Sequence, residues 1–239
     1  MSSAQSSSRL IFYEFKDAVP PQHGQMTLKT ELGAIALVDE PDEDQKHQDD
    51  FLGSQARCLA AWPHLSYDGQ DHWHVMTSIG LATDAEKCPL VEEISASGSP
   101  LNHRYFLAVE NIELWVNNQL AGLCRYRNVR PEPSDELDDE TLSFFVTLDA
   151  VFVRPRYHSL GFGEVLSEAL AEQIVAGILT HLHKHRPFKG RADLTLFADF
   201  NSEQGERFFD SLSDLVAERM EGISELLGIS IEIEVDAGY

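Results

Sequence analysis

Basic residues are scarce in this sequence: 18 lysines and arginines stand against 40 aspartates and glutamates in 239 residues, for a formal net charge of −22. A polyanion such as DNA is held largely by Lys and Arg on its phosphates, so nucleic acid is excluded as an expected partner. Cysteine is scarce as well. The three present, Cys58, Cys88 and Cys124, are odd in number and lack CxxC spacing, which argues against a disulfide framework or a structural zinc site. They read as buried or incidental thiols. No uninterrupted apolar run reaches the ~18 residues of a membrane span. Met1 to Ser8 is Ser-rich without a basic stretch followed by an apolar one, so it resembles a disordered tail more than a signal peptide. The expectation is a cytoplasmic protein with no membrane partner.

What is abundant is negative charge. It would concentrate cationic ligands such as amines, polyamines, aminoglycosides or basic peptides; solubility alone is an equally good account of it. Two acidic stretches, Asp39 to Asp50 and Glu132 to Glu140, belong in solvated loops. The length allows one large domain with a core of its own. The expected division is a tail over 1–9, a region over 10–103 that either stands apart or joins the same domain, and a main domain over 104–239. In the first half, Leu10 to Phe15 and Leu28 to Val38 read as strands and Phe51 to Trp62 as a short helix.

From Arg104 onward the pattern sharpens. Tyr105 to Val116 and Gln119 to Arg127 read as two strands of a hairpin, because Asn117 and Asn118 tolerate the positive φ of a tight turn. Leu142 to Val153 is dense in β-branched and aromatic residues, and Pro155 stops it. Gly161 to His185 carries apolar residues at near-helical spacing, Asp193 to Phe200 reads as a strand, Ser202 to Leu227 as a helix, and Ile229 to Val235 as a half-exposed strand. The order is β-β-β-α-β-α-β.

Val151 to Glu164 reads VFVRPRYHSLGFGE: strand, basic turn, two glycines, helix. A helix start offers unpaired N–H groups and the positive end of the macrodipole, so an anionic phosphate can sit there without dedicated side chains. Gly161 and Gly163 let the backbone come close, and Arg154 and Arg156 place positive charge beside the turn. An isolated Gly-x-Gly also serves as a plain tight turn; the surrounding elements decide between the two.

Those surroundings resemble the GNAT superfamily of N-acetyltransferases, whose signature is (Gln/Arg)-x-x-Gly-x-(Gly/Ala) after the fourth strand, opening the next helix. Here it is His158-Ser159-Leu160-Gly161-Phe162-Gly163, preceded by the family-like Val-x-Pro-x-Tyr of Val153 to Tyr157. The resemblance covers element order from about Tyr105 to Val235 and motif only over residues 148 to 170. It implies an α/β (α+β) fold with a mixed, mostly antiparallel sheet flanked by helices, here with an N-terminal extension. It further implies acetyl-CoA or another acyl-CoA as co-substrate. The backbone of Val151, Phe152 and Val153 would pair with the pantetheine arm as an added strand, and the turn from His158 to Glu164 would hold the pyrophosphate. Asn201 would lie near the pantetheine end.

The sequence departs from the family pattern in three ways. His158 replaces the usual Arg or Gln, Phe208 replaces a Tyr that many members use to protonate the leaving thiolate, and only one strand follows the last helix. Asp149 is the candidate general base for deprotonating an amine; in an unbroken strand it shares a face with Thr147 and Val151. A merely solvated or N–H-bonded carboxylate is the plainer account of it. Glu110 and Glu113 are alternative bases. His181 and His185 are four apart on one helical face, yet without HExxH they read as a polar helix end, and no metal is expected. The expected function is transfer of an acyl group from acyl-CoA to a primary amine on a small molecule or protein. The alternative is a catalytically inactive GNAT-like module that binds acyl-CoA or another protein.

Overall fold

The computed structural model describes residues 56–67, 71–99, 102–132, 141–184 and 188–238. The stretches expected at Met1 to Ser8, Leu10 to Phe15, Leu28 to Val38 and Asp39 to Asp50 lie outside the described residues. So does the acidic run beyond Glu132.

β1 (Arg57–Tyr67) and β2 (Asp71–Ile79) form an antiparallel pair, so the helix expected over Phe51 to Trp62 is a strand from Arg57 onward. Register irregularities between Cys58 and Ala60 and between Trp62 and Leu65 explain the misreading. Each extra residue resets the two-residue alternation, leaving an apolar run with no strand period.

After β2 comes α1 (Asp84–Ala96), opened by a reciprocal cap. The Thr83 hydroxyl accepts from the Glu86 N–H, while the Glu86 carboxylate accepts from the Thr83 N–H at 2.8 Å. A short 3-10 turn, His103–Leu107, leads to β3 (Ile112–Val116) and β4 (Gln119–Glu132). The hairpin turn is as expected, with Asn117 at φ 50° and Asn118 at φ 62° closing the Val116–Gln119 pair. Its first strand is shorter than expected. The Asn111 side chain donates to the Tyr105 carbonyl at 2.9 Å, so Tyr105 to Asn111 curls on itself instead of joining the sheet.

β5 (Thr141–Val153), α2 (Phe162–Lys184), β6 (Arg191–Asp199), α3 (Glu203–Leu227) and β7 (Ser230–Gly238) follow in the expected order. Ser202 caps α3 by accepting from the Gly205 N–H at 3.1 Å, and Gly228 ends it in the left-handed conformation at φ 64°.

The seven strands of the described residues form one sheet in the order β1-β2-β3-β4-β5-β6-β7. Pairings from β1 to β5 are antiparallel; β5–β6 and β6–β7 are parallel, as helical crossovers require. This is the mixed, mostly antiparallel sheet flanked by helices that the resemblance implied.

Helices cover both faces. On one, Leu166, Leu170, Ile174 and Ile178 of α2 and Phe209, Leu212 and Val216 of α3 pack on strand residues such as Leu114, Val146 and Leu194. On the other, Leu90 and Ile94 of α1 pack with Phe106 on Met76, Trp115, Leu123 and Ala150. Each fully buried large aliphatic side chain contributes roughly 1.5–3 kcal/mol. By length and composition α2 could cross a membrane, but its apolar residues are buried against the sheet and α3.

Candidate functional site

The site grows from an unequal pairing of β5. On one edge β4 accompanies it as far as Gly122–Val153, whereas on the other β6 stops at Leu148–Ala198. Among the described residues, nothing pairs with residues 149–153 on that edge.

Backbone geometry decides which groups face that gap. The Arg154 N–H donates to the Ala121 carbonyl at 2.8 Å, and antiparallel alternation then turns Phe152 toward Leu123 in β4. A Cβ on Gly122 would lie 2.8 Å from the Phe152 oxygen, which shows that carbonyl facing β4 and why a glycine occupies this position. Val151 and Val153 consequently point their N–H and C=O groups into the gap. Of the three residues expected to offer backbone partners, Phe152 has its groups committed to the sheet. Of the remaining groups, the Val153 carbonyl is met by His158 Nε2 at 2.6 Å.

Asp149 begins the open segment. Arg125 faces Ala150 and Tyr126 faces Leu148, so Asp149 is an extra, bulged residue. The strand is not unbroken there, and its faces exchange. Phe144, Val146 and Leu148 join the larger core before the bulge, and Val151 and Val153 pack against it afterward. The shared face of Thr147, Asp149 and Val151 is thereby lost. Asp149 accepts from Arg127 Nε at 3.1 Å, and its side chain is only 8% exposed.

Beyond β5 the chain turns through Pro155–Tyr157. Ser159 at φ 61° and Gly161 at φ 77° both adopt the left-handed conformation, curling the backbone into the start of α2. The Gly161 carbonyl accepts from the N–H groups of Glu164 and Val165 at 3.1 and 3.3 Å. Residues 158–161 form a turn, and among the described residues the N–H groups of Ser159, Leu160, Gly161, Phe162 and Gly163 make no close, well-aligned backbone hydrogen bond. Successive free donors beside a helix N-terminus suit an anion. A Cβ at Gly163 would meet nothing within 4 Å. Phe162 anchors the turn from below, edge-on to Tyr157 and Trp73 with ring centroids 5.7 and 6.1 Å away. His158, Ser159 and Glu164 are exposed.

The two arginines of the turn differ. Arg154 Nε donates to both carboxylate oxygens of Glu93 at 2.9 Å, tying α1 to the end of β5. The guanidinium hydrogen bond holds the Glu93 carboxyl below its ordinary value, and that carboxylate raises Arg154 in return. Its charge is thus neutralised locally. Arg156 donates to Gln119 Oε1 at 2.9 Å, lies 4.7 Å over the Tyr157 ring, and forms no close ion pair among the described residues, although its charge adds to the field that lowers Glu93. Positive charge at the turn comes from Arg156.

Asn201 is exposed in the bend after β6, immediately before the cap of α3. Phe208 is buried among core residues, and without a hydroxyl it offers no proton. Tyr157 is buried too, its ring packed between Trp73 and Phe162.

The alternative bases have structural partners. Glu110 lies ahead of β3 and accepts from Arg125 at 2.9 Å. Glu113 is fully buried and accepts from Ser78 Oγ at 2.6 Å and from the N–H groups of Leu81 and Ala82 at 3.0 and 2.9 Å. Lys87 stands 3.9 Å away and donates to the Ala108 carbonyl at 2.8 Å, while Trp115 Nε1 donates to Ser78 Oγ. Sequence reasoning missed this buried network. A Glu inside the apolar run Ile112–Val116 is the signal that could have found it. In α2, His183 Nδ1 faces the Leu179 carbonyl at 2.8 Å and His181 packs near Phe144; His185 lies outside the described residues.

No family model matches the chain, and no curated protein matches it. Among solved structures, it is similar to the crystal structure of a ribosomal-protein-alanine N-acetyltransferase from Brucella melitensis biovar Abortus 2308. The similarity covers 57% of this chain and 88% of that one, with 14% sequence identity and a TM-score of 0.32.

Proposed function

We propose that the chain is an acyltransferase that binds an acyl-CoA along the open edge of β5 and passes its acyl group to an amine. The observation that carries this reading is a pair of adjoining vacancies. Both backbone groups of Val151 and the Val153 N–H can pair with an extended amide-bearing arm, and the N–H groups from Ser159 to Gly163 lie one turn further on, where a pyrophosphate would follow. Arg156 adds charge at the phosphate end. His158, Leu160, Phe162 and Glu164 shape the turn between them.

Attack on a thioester needs a neutral amine and a donor for the developing oxyanion. The Val151 N–H faces the gap and is the donor we assign. Asp149, at the head of the open segment and oriented by Arg127, is the carboxylate we assign to the amine proton. Asn201 would close the mouth of the gap from the β6 side. With Phe208 in place of a hydroxyl, the leaving thiolate takes its proton from water.

Phe208 also supports a second reading, in which the chain binds acyl-CoA without transferring the acyl group. Calorimetric titration with acetyl-CoA and CoA, followed by assay of free-thiol release with amine acceptors, separates the readings. Binding with acceptor-dependent thiol release supports the transferase; binding without release supports the sensor. Absence of binding removes both.

A further inference from the structure

We infer that the outer edge of β7 is a docking strand for an extended lysine- or arginine-bearing peptide of another protein. The inference stands apart from acyl transfer. β7 is the last strand of the sheet, and among the described residues nothing pairs with its outer edge. Alternate N–H and C=O groups along an edge strand face outward without partners and recruit a further strand.

The charge of that edge selects the occupant. Ile231, Ile233 and Ala237 pack toward the helices, so Glu232, Glu234 and Asp236 share the opposite face, and all three are exposed. Next to them in register on β6 stand Asp193, Thr195 and Phe197, with Phe197 stacked on Phe145 of β5 at 6.4 Å. Residues two apart on a strand recur every ~6.8 Å, the same repeat that lysines at alternate positions of an added strand present. A second copy of β7 would instead oppose three carboxylates with three carboxylates, which disfavours self-pairing.

The chain supplies its own example of a cation in this row. Arg191 reaches Asp193 at 2.5 Å and Glu232 at 2.7 Å. Further along, Glu234 and Asp236 have no ion-pair partner among the described residues. A visiting Lys or Arg would continue the row there from the other side of β7, while the overall negative field draws the peptide in.

The test uses the full chain and a fluorescein-labelled peptide of about eight residues, matched to β7 at ~3.4 Å per residue, with Lys and Thr alternating. Anisotropy is read at low and moderate salt against two controls: the same peptide N-methylated at every second residue, and the Glu234→Gln/Asp236→Asn protein. Expected is saturable, salt-sensitive binding that N-methylation abolishes and that the double variant weakens about fivefold, as two partly exposed ion pairs would. Circular dichroism confirms that the variant is folded. Equal binding of the N-methylated peptide would reduce the surface to a charge patch and overturn strand addition. Undiminished binding by the double variant would place the peptide elsewhere. Absence of binding at low salt would leave the acidic row as a guard against edge-to-edge association, and would also overturn the inference.

Discussion

Gly163→Glu separates the anion site from the integrity of the fold. Gly163 lies in the first turn of α2, where an added Cβ meets nothing within 4 Å, so the substitution introduces no clash. Replacing a helical glycine stabilises by roughly 0.5–1 kcal/mol, and a carboxylate at a helix N-terminus adds about 0.3–1 kcal/mol. For a protein of this size about 1 kcal/mol raises Tm by roughly 2–4 °C. Binding should change in the opposite direction. The new carboxylate occupies the space beside the free N–H groups and repels phosphate, and a loss of about 1.4 kcal/mol weakens acetyl-CoA tenfold. With ligand at about 100 times the parent Kd, the parent gains about 2.7 kcal/mol of stability, and a tenfold weaker variant about 1.4 kcal/mol. Thermal shift and calorimetry read both quantities. A variant that is at least as stable as the parent and binds acetyl-CoA equally well would refute the placement of the phosphates at α2. Gly161→Glu is a less clean probe, because φ 77° strains any side chain at that position.

Glu113→Ala should cost about 3–5 kcal/mol in urea unfolding, because it leaves Lys87 charged and buried without its partner; a cost under about 1 kcal/mol would show that water reaches the network. The Glu93 carboxyl is lowered in the folded state, first by its hydrogen bond to Arg154, so its contribution is complete above its ordinary value of 4.5 and is lost as pH falls through the folded value. Glu93→Gln should therefore flatten the acid limb of stability below about pH 4.5 relative to the parent, and identical limbs would contradict the assignment. Burial pushes the Cys58 thiol up to about 11 and the Cys124 thiol higher still, whereas Cys88 is exposed. Iodoacetamide at mild alkaline pH should label Cys88 first, as peptide mapping would read; early loss of Cys124 would indicate that β4 opens readily.

Much of the chain was legible as sequence because the information there is local. The Asn117-Asn118 turn, the helical spacing of α2, the helix expected over Ser202 to Leu227 and the alternation Ile231–Glu232–Ile233–Glu234 each depend on residues a few positions apart, and each forms as read. The Thr83–Glu86 cap was equally local and went unread, and with it α1. β1 was lost for a different reason, since its irregular register exists only against β2.

The candidate site divides in the same way. Sequence alone determined that residues from Val151 to Glu164 make a strand, a glycine turn and a helix start, because chirality, missing Cβ atoms and apolar period act within the segment. Tertiary structure decided the remainder. Whether β6 accompanies β5 to its end, which valines face the gap, that Arg154 is neutralised by Glu93 and that Glu113 lies buried beside Lys87 all depend on elements far apart in the chain. The bulge at Asp149 is the sharpest case: one residue without a partner in β4 exchanges the faces of the strand beyond it. Pairing register is a property of two strands together, and neither strand's sequence contains it.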